Sequence, residues 1–215
     1  MTNLATMQIK PSSWPITVGA EGIAAAQFAR CGFDVLVQAG RDKPWYDLVV
    51  TKAGNLLKVS VKASEDGSWS LAHGYMRRAA ELSGMKIDCR GAIDLWLDSH
   101  GSRTVCCLVQ FEDVGIYQLP RIYLASPYEI ALKMRETAER QGQCLLYERY
   151  DWTSRESGSV STESLPASWL FSQERIEQLL ATQSAVVYSS SLGPKLPPKS
   201  WSMDQVSHED VRVSA

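Results

Sequence analysis

The spacing of apolar positions changes several times along the chain, and each change marks an element. Around residues 17–31, Ala20, Ile23, Ala24, Gln27, Phe28 and Cys31 fall on one helical stripe, mostly small and apolar. Thr17 suits the cap of this helix, and Gly32 suits its stop. A helix so rich in alanine can lie close against a sheet. The period then shortens. Residues 33–37 and 45–51 read as strands, and residues 56–63 (LLKVSVKA) as a third. Between the last two, Lys52-Ala53-Gly54-Asn55 reads as a hairpin turn, with Gly54 and Asn55 available for positive φ.

The following stretch is less regular. Residues 68–71 read as extended and 75–82 as a short helix. Residues 92–97 (AIDLWL) and 105–111 (VCCLVQF) read as two more strands, joined by a turn around His100-Gly101. A short strand at 121–125 precedes a helix that Pro127 opens and that runs to about residue 141. Residues 144–147 form a last apolar run, 154–164 a Ser/Thr/Gly-rich linker, and 172–181 a helix. This order predicts an α/β (α+β) layer fold, a mixed central sheet flanked by helices with a C-terminal extension. The implied organisation is an N-terminal arm (1–16), a core (17–150), a linker with a C-terminal helix (151–188) and a flexible tail (189–215).

Composition narrows the class. A chain of 215 residues can bury a core without staples. Its net charge of -2 argues against a protein that coats nucleic acid non-specifically, while leaving room for a local basic groove. The five cysteines have no CxxC spacing, and His73, His100 and His208 add no zinc-like pattern. They read as reduced thiols of a cytoplasmic protein. The N-terminus lacks the basic start and apolar run of a signal peptide, and no stretch approaches the roughly 20 apolar residues of a membrane span.

Three features carry candidate chemistry. Glu21 sits in the first turns of the first helix, Asp47 in the second strand, and Ser60-Val61-Lys62 in the third. Strand alternation puts Ser60 and Lys62 on one face and Val59 and Val61 on the other. Asp47 stands at the head of an apolar run, where a buried carboxylate needs a partner or a metal. Carboxylates bind Mg²⁺ as hard oxygen ligands, and a metal beside a lysine suits phosphodiester hydrolysis.

The ordered segments GAEGIAAAQFARCGFDVLVQ, DLVV and LLKVSVKAS resemble the PD-(D/E)XK nuclease superfamily, especially Holliday-junction resolvases and a group-I-intron homing endonuclease type. The resemblance covers about residues 17–63 and implies a restriction-endonuclease-like core. It places Glu21 at the helix glutamate, Asp47 at the metal-binding aspartate and Lys62 at the lysine. Ser60 falls where relatives carry an acidic residue or glutamine. A further echo is Ile93-Asp94-Leu95, which corresponds to a strand in some relatives. The resemblance implies a DNA endonuclease using Mg²⁺ (or Mn²⁺), with the ion on Glu21, Asp47 and the Val61 carbonyl, and it extends to action as a homodimer. Arg77, Arg78, Lys86 and Arg90 form a basic stretch suited to phosphate contacts. Because serine is short and neutral, the alternative is a catalytically inactive module of this fold that binds nucleic acid or a protein partner. Glu65 is a further carboxylate near the site; His73 and His100 lie in polar loops and read as no catalytic base.

Overall fold

The computed structural model describes residues 13–38, 46–101, 103–153 and 158–189. The elements in order are α1 (Ser13–Arg30), β1 (Asp34–Val37), β2 (Leu48–Lys52), β3 (Asn55–Ser64), β4 (Ser68–Trp69), α2 (Met76–Ser83), α3 (Cys89–Asp98), β5 (Thr104–Gln110), β6 (Arg121–Ala125), α4 (Pro127–Gln141), β7 (Leu146–Tyr147), β8 (Arg149–Thr153), β9 (Val160–Ser164) and α5 (Gln173–Ser189). The expected tail lies outside the described residues. Ser13–Ile16, read as part of an arm, instead form the first turn of α1.

Five strands form one mixed sheet in the order β1-β2-β3-β5-β6. Neighbours are antiparallel except β3 and β5, which run parallel. A parallel pair needs a long crossover, and α2 and α3 supply it. Helices cover both faces. Ala20, Ala24 and Phe28 of α1, and Ile176 and Leu179 of α5, pack with Val59, Val61, Val105 and Cys107. Ile93 and Trp96 of α3, with Ile130 and Met134 of α4, pack with Cys106 and Leu108 on the opposite face. All seven residues of β5 are therefore buried, as in a strand covered on both sides. Burial pushes the Cys106 thiol up to about 12, which keeps it protonated and inert. All five cysteines are free, but Cys31, Cys89 and Cys144 are only half-buried.

Two expectations are corrected. Residues 92–97 are helical, so the strand echo at Ile93-Asp94-Leu95 fails. Asp88 caps α3, its carboxylate accepting the Gly91 N–H at 2.7 Å, and Ala92, Ile93 and Trp96 recur at helical spacing on the buried side. Asp94 is exposed and pairs with Arg135 of α4 at 2.6 Å. The Ser/Thr-rich segment read as linker contains β9, which pairs with β8 in an antiparallel hairpin. Thr and Val favour strands despite the polar composition. Glu163 ties β9 to Lys133 and Arg140 of α4, and the Leu165 N–H donates to the Glu148 carbonyl at 2.8 Å. The hairpin of β2 and β3 forms as expected, though Ala53 and Gly54 are the positive-φ pair (50° and 79°), with Asn55 already in the ladder. That leaves an alanine in the left-handed region, where a Cβ is unfavourable by about 1 kcal/mol.

Glu148, at the junction of β7 and β8, carries a part-buried ionic contact. Arg121 donates from Nε to Oε1 and from Nη2 to Oε2, each at 2.7 Å, and the Tyr123 hydroxyl donates at 2.6 Å. Burial alone would raise the Glu148 carboxyl, but these donors and the guanidinium charge outweigh it and hold the carboxyl below its ordinary value of 4.5. A depressed carboxyl contributes stability that is full above the unfolded-state pKa and is lost as pH falls through the folded value. Urea unfolding is therefore expected to show stability declining below about pH 5. In Glu148→Gln this decline becomes shallower, with about 2 kcal/mol lost at neutral pH. An unchanged acid limb in the variant would contradict the assignment.

Candidate active site

The site is built where β2 begins beside β3. The ladder pairs Leu48 with Val59, and the Asp47 N–H extends it by donating to the Val59 carbonyl at 2.8 Å. Asp47 therefore stands opposite Ser60. The parallel register sets Ser60 against Cys106 and Lys62 against Leu108, residues that belong to the α3 and α4 side. Asp47, Ser60 and Lys62 thus share one face, while Leu48, Val59 and Val61 anchor the strands under α1.

One Asp47 carboxylate oxygen accepts the Val61 N–H at 2.7 Å, which orients the side chain across the edge of β3. Asp47, Ser60, Val61 and Lys62 line an open cleft of about 850 Å³. Ser60 is buried at its floor, at 3% exposure. Lys62 is half-buried, and its carbonyl accepts the Trp69 indole N–H at 3.1 Å. That bond and the 2% exposure of Trp69 make this residue a packing element of the wall, not a stacking platform. Tyr75, Glu65 and Asp66 also line the cleft. Asp66 is occupied in the turn after β3, accepting from Ser64 and from the backbone and hydroxyl of Ser68. Lys58 lies over the Tyr46 ring at 5.4 Å.

From α1, Ile16 and Thr17 line the cleft. Glu21 is half-buried one turn further along the helix and is not among the residues lining the cleft. The basic residues Arg77, Arg78, Lys86 and Arg90 are all exposed and outside the cleft lining. Arg77 faces Glu81 at 3.7 Å and Arg90 faces Glu139 at 3.1 Å.

The residue that sequence reasoning missed is His100. It follows α3, lines the cleft, and directs Nδ1 to the Trp96 carbonyl at 2.8 Å. A carbonyl only accepts, so Nδ1 carries the proton. Burial lowers the pKa of this ring from its ordinary 6.5; the Trp96 bond opposes the shift, and the positive charge of Lys62 adds to it. The available signal was a histidine just past a helix C-terminus, where such side chains bond the last carbonyls. Reading residues 92–97 as a strand hid it.

Among the described residues, no group of three or more His, Cys, Asp or Glu side chains gathers closely enough to hold a metal ion. Of the common metal ions, Mg²⁺ asks least of a protein's own side chains. This ion commonly keeps several waters and uses one or two carboxylates together with substrate phosphate oxygens. Asp47 is such a carboxylate, and Val61 presents its backbone to the same strand edge.

No family model matches this sequence, and no curated protein matches it. Among solved structures, the chain is similar to the bacterial homing endonuclease I-Ssp6803I, with a TM-score of 0.42 and 14% identity over 81% of this chain and 97% of that one. The chain is a mixed α+β protein, its five-stranded sheet flanked by helices. No described helix is long and apolar enough to cross a membrane.

Proposed function

We propose that this chain is a metal-dependent endonuclease that hydrolyses phosphodiester bonds in DNA. The observation that carries the reading is the convergence of Asp47, Ser60 and Lys62 on the floor of one open cleft, with the Asp47 carboxylate fixed by the Val61 N–H. Asp47 and the Val61 carbonyl would hold Mg²⁺ or Mn²⁺, which when bound polarises a phosphate oxygen and lowers the pKa of water. Lys62 places a positive charge where negative charge develops on the phosphoryl oxygens. The Ser60 hydroxyl donates to one of those oxygens, a neutral contact in place of a metal ligand. Arg78 and Lys86, with Arg77 and Arg90, are the candidates for contacts to the flanking backbone.

The alternative, a catalytically inactive module that binds nucleic acid or a protein partner, is favoured by one observation: Ser60 leaves the floor with one carboxylate where the reaction commonly uses two or more. Plasmid and branched-DNA cleavage with Mg²⁺ or Mn²⁺ separates the readings. The parent protein is expected to nick DNA, and a chelator to stop it. Silence in the parent, with nicking gained in Ser60→Glu, would establish the inactive module. Silence in both would remove the nuclease reading.

A further inference from the structure

We infer that His100 is the proton acceptor for the attacking water in this cleft. The inference rests on the nuclease reading above and goes beyond it by naming the base. Four observations converge. His100 shares the cleft lining with Asp47, Ser60 and Lys62. Its Nδ1–H is committed to the Trp96 carbonyl at 2.8 Å, which leaves the lone pair on Nε2. Among the described residues, Nε2 has no hydrogen-bond partner. The ring is held edge-on to the Trp96 indole, with centroids 4.5 Å apart, so its direction is fixed before substrate arrives.

Asp47 already accepts the Val61 N–H, and Ser60 is neutral and a poor base. A lysine ammonium such as that of Lys62 offers donors and no acceptor. Besides His100, the charged and titratable groups lining the cleft are Lys62 on β3, Tyr46 and Asp47 before β2, Glu65 and Asp66 after β3, and Tyr75. Burial of the ring and the Lys62 charge both favour the neutral imidazole, which is the form that accepts a proton.

In the proposed step a water O–H bond breaks and its proton passes to His100 Nε2. The water oxygen forms a bond to phosphorus, and the P–O bond to the departing alcohol breaks. The departing oxygen takes a proton from bulk water, and the imidazolium returns its own to solvent. The balance is phosphodiester plus water giving phosphomonoester plus alcohol.

His100→Asn tests this directly. The asparagine amide can replace Nδ1–H toward the Trp96 carbonyl, and nothing replaces Nε2. Plasmid nicking by the variant is expected to fall by about 10²- to 10⁴-fold, with partial rescue by added imidazole. The acid limb of the parent pH–rate profile is expected below 6.5 and should vanish in the variant. A readout independent of activity is ¹⁵N NMR of the ring, assigned with the same variant. It should show the Nδ1–H tautomer with a midpoint below the ordinary value, rising in Lys62→Met. Parent-like nicking by His100→Asn, beside a dead Asp47→Asn, would overturn this role alone. The Nε2–H tautomer, or a midpoint at or above 6.5, would also overturn it. Absence of cleavage in the parent would overturn both this role and the nuclease reading.

Discussion

Asp47→Asn is expected to lower DNA nicking by at least about a hundred-fold while leaving the fold intact. The two halves of this expectation have separate causes. The asparagine carbonyl can still accept the Val61 N–H, which the native carboxylate takes at 2.7 Å, so the start of β2 keeps its anchor on β3. What disappears is the carboxylate in the cleft, and with it the hard oxygen ligand that, on the proposed reading, would hold a divalent ion. Urea unfolding should therefore move by less than about 1 kcal/mol. Plasmid nicking and Mn²⁺ titration, measured on the same preparation, should both collapse. An Asp47→Asn protein that cuts like its parent would show that the cleft is not the reaction centre.

The largest expected effect on stability comes from Phe28. This side chain of α1 is fully buried, with Phe33 edge-on at 6.2 Å and Phe171 edge-on at 5.1 Å. It joins α1 to the adjacent entry to β1 and to the distant stretch that leads into α5. Phe28→Ala removes the ring and leaves a cavity that α1 cannot close, because Ala20 and Ala24 already sit against the same sheet face. The expected loss is about 3–5 kcal/mol by urea unfolding. At this chain length that corresponds to a melting temperature lower by roughly 10 °C. A loss under about 1 kcal/mol would mean that α1 is held by something other than this aromatic cluster. Because α1 also brings Thr17 to the cleft, the variant should lose activity as its folded fraction falls, and not before.

The chain's own pattern went a long way toward the cleft floor. Alternation in LLKVSVKA, a Gly-containing turn and an apolar run after Asp47 are local signals, and they set the register that puts Asp47, Ser60 and Lys62 on one face. The helix opened by Pro127 was equally legible. Its Ser126/Glu129 capping box is a short-range motif, with each side chain bonded to the other's backbone N–H. Apolar runs failed where they were short and both periods fitted, as in AIDLWL. There the Asp88 cap and the crossover demanded by parallel strands decided for helix. Polar composition misled at β9, because a strand held by cross-strand pairs and by Glu163 needs little apolar surface.

By itself the sequence determined the β2–β3 hairpin and which of its residues share a strand face, because those follow from bonds and contacts between near neighbours. Only the tertiary structure decided what walls the cleft. It placed Thr17 of α1 in the lining, turned Trp69 into the core, and brought His100 from the end of α3 into the same cleft as Lys62. Those choices depend on how α1 and α3 pack on opposite faces of the sheet, and no local pattern in the chain encodes the distance between elements that meet only after folding.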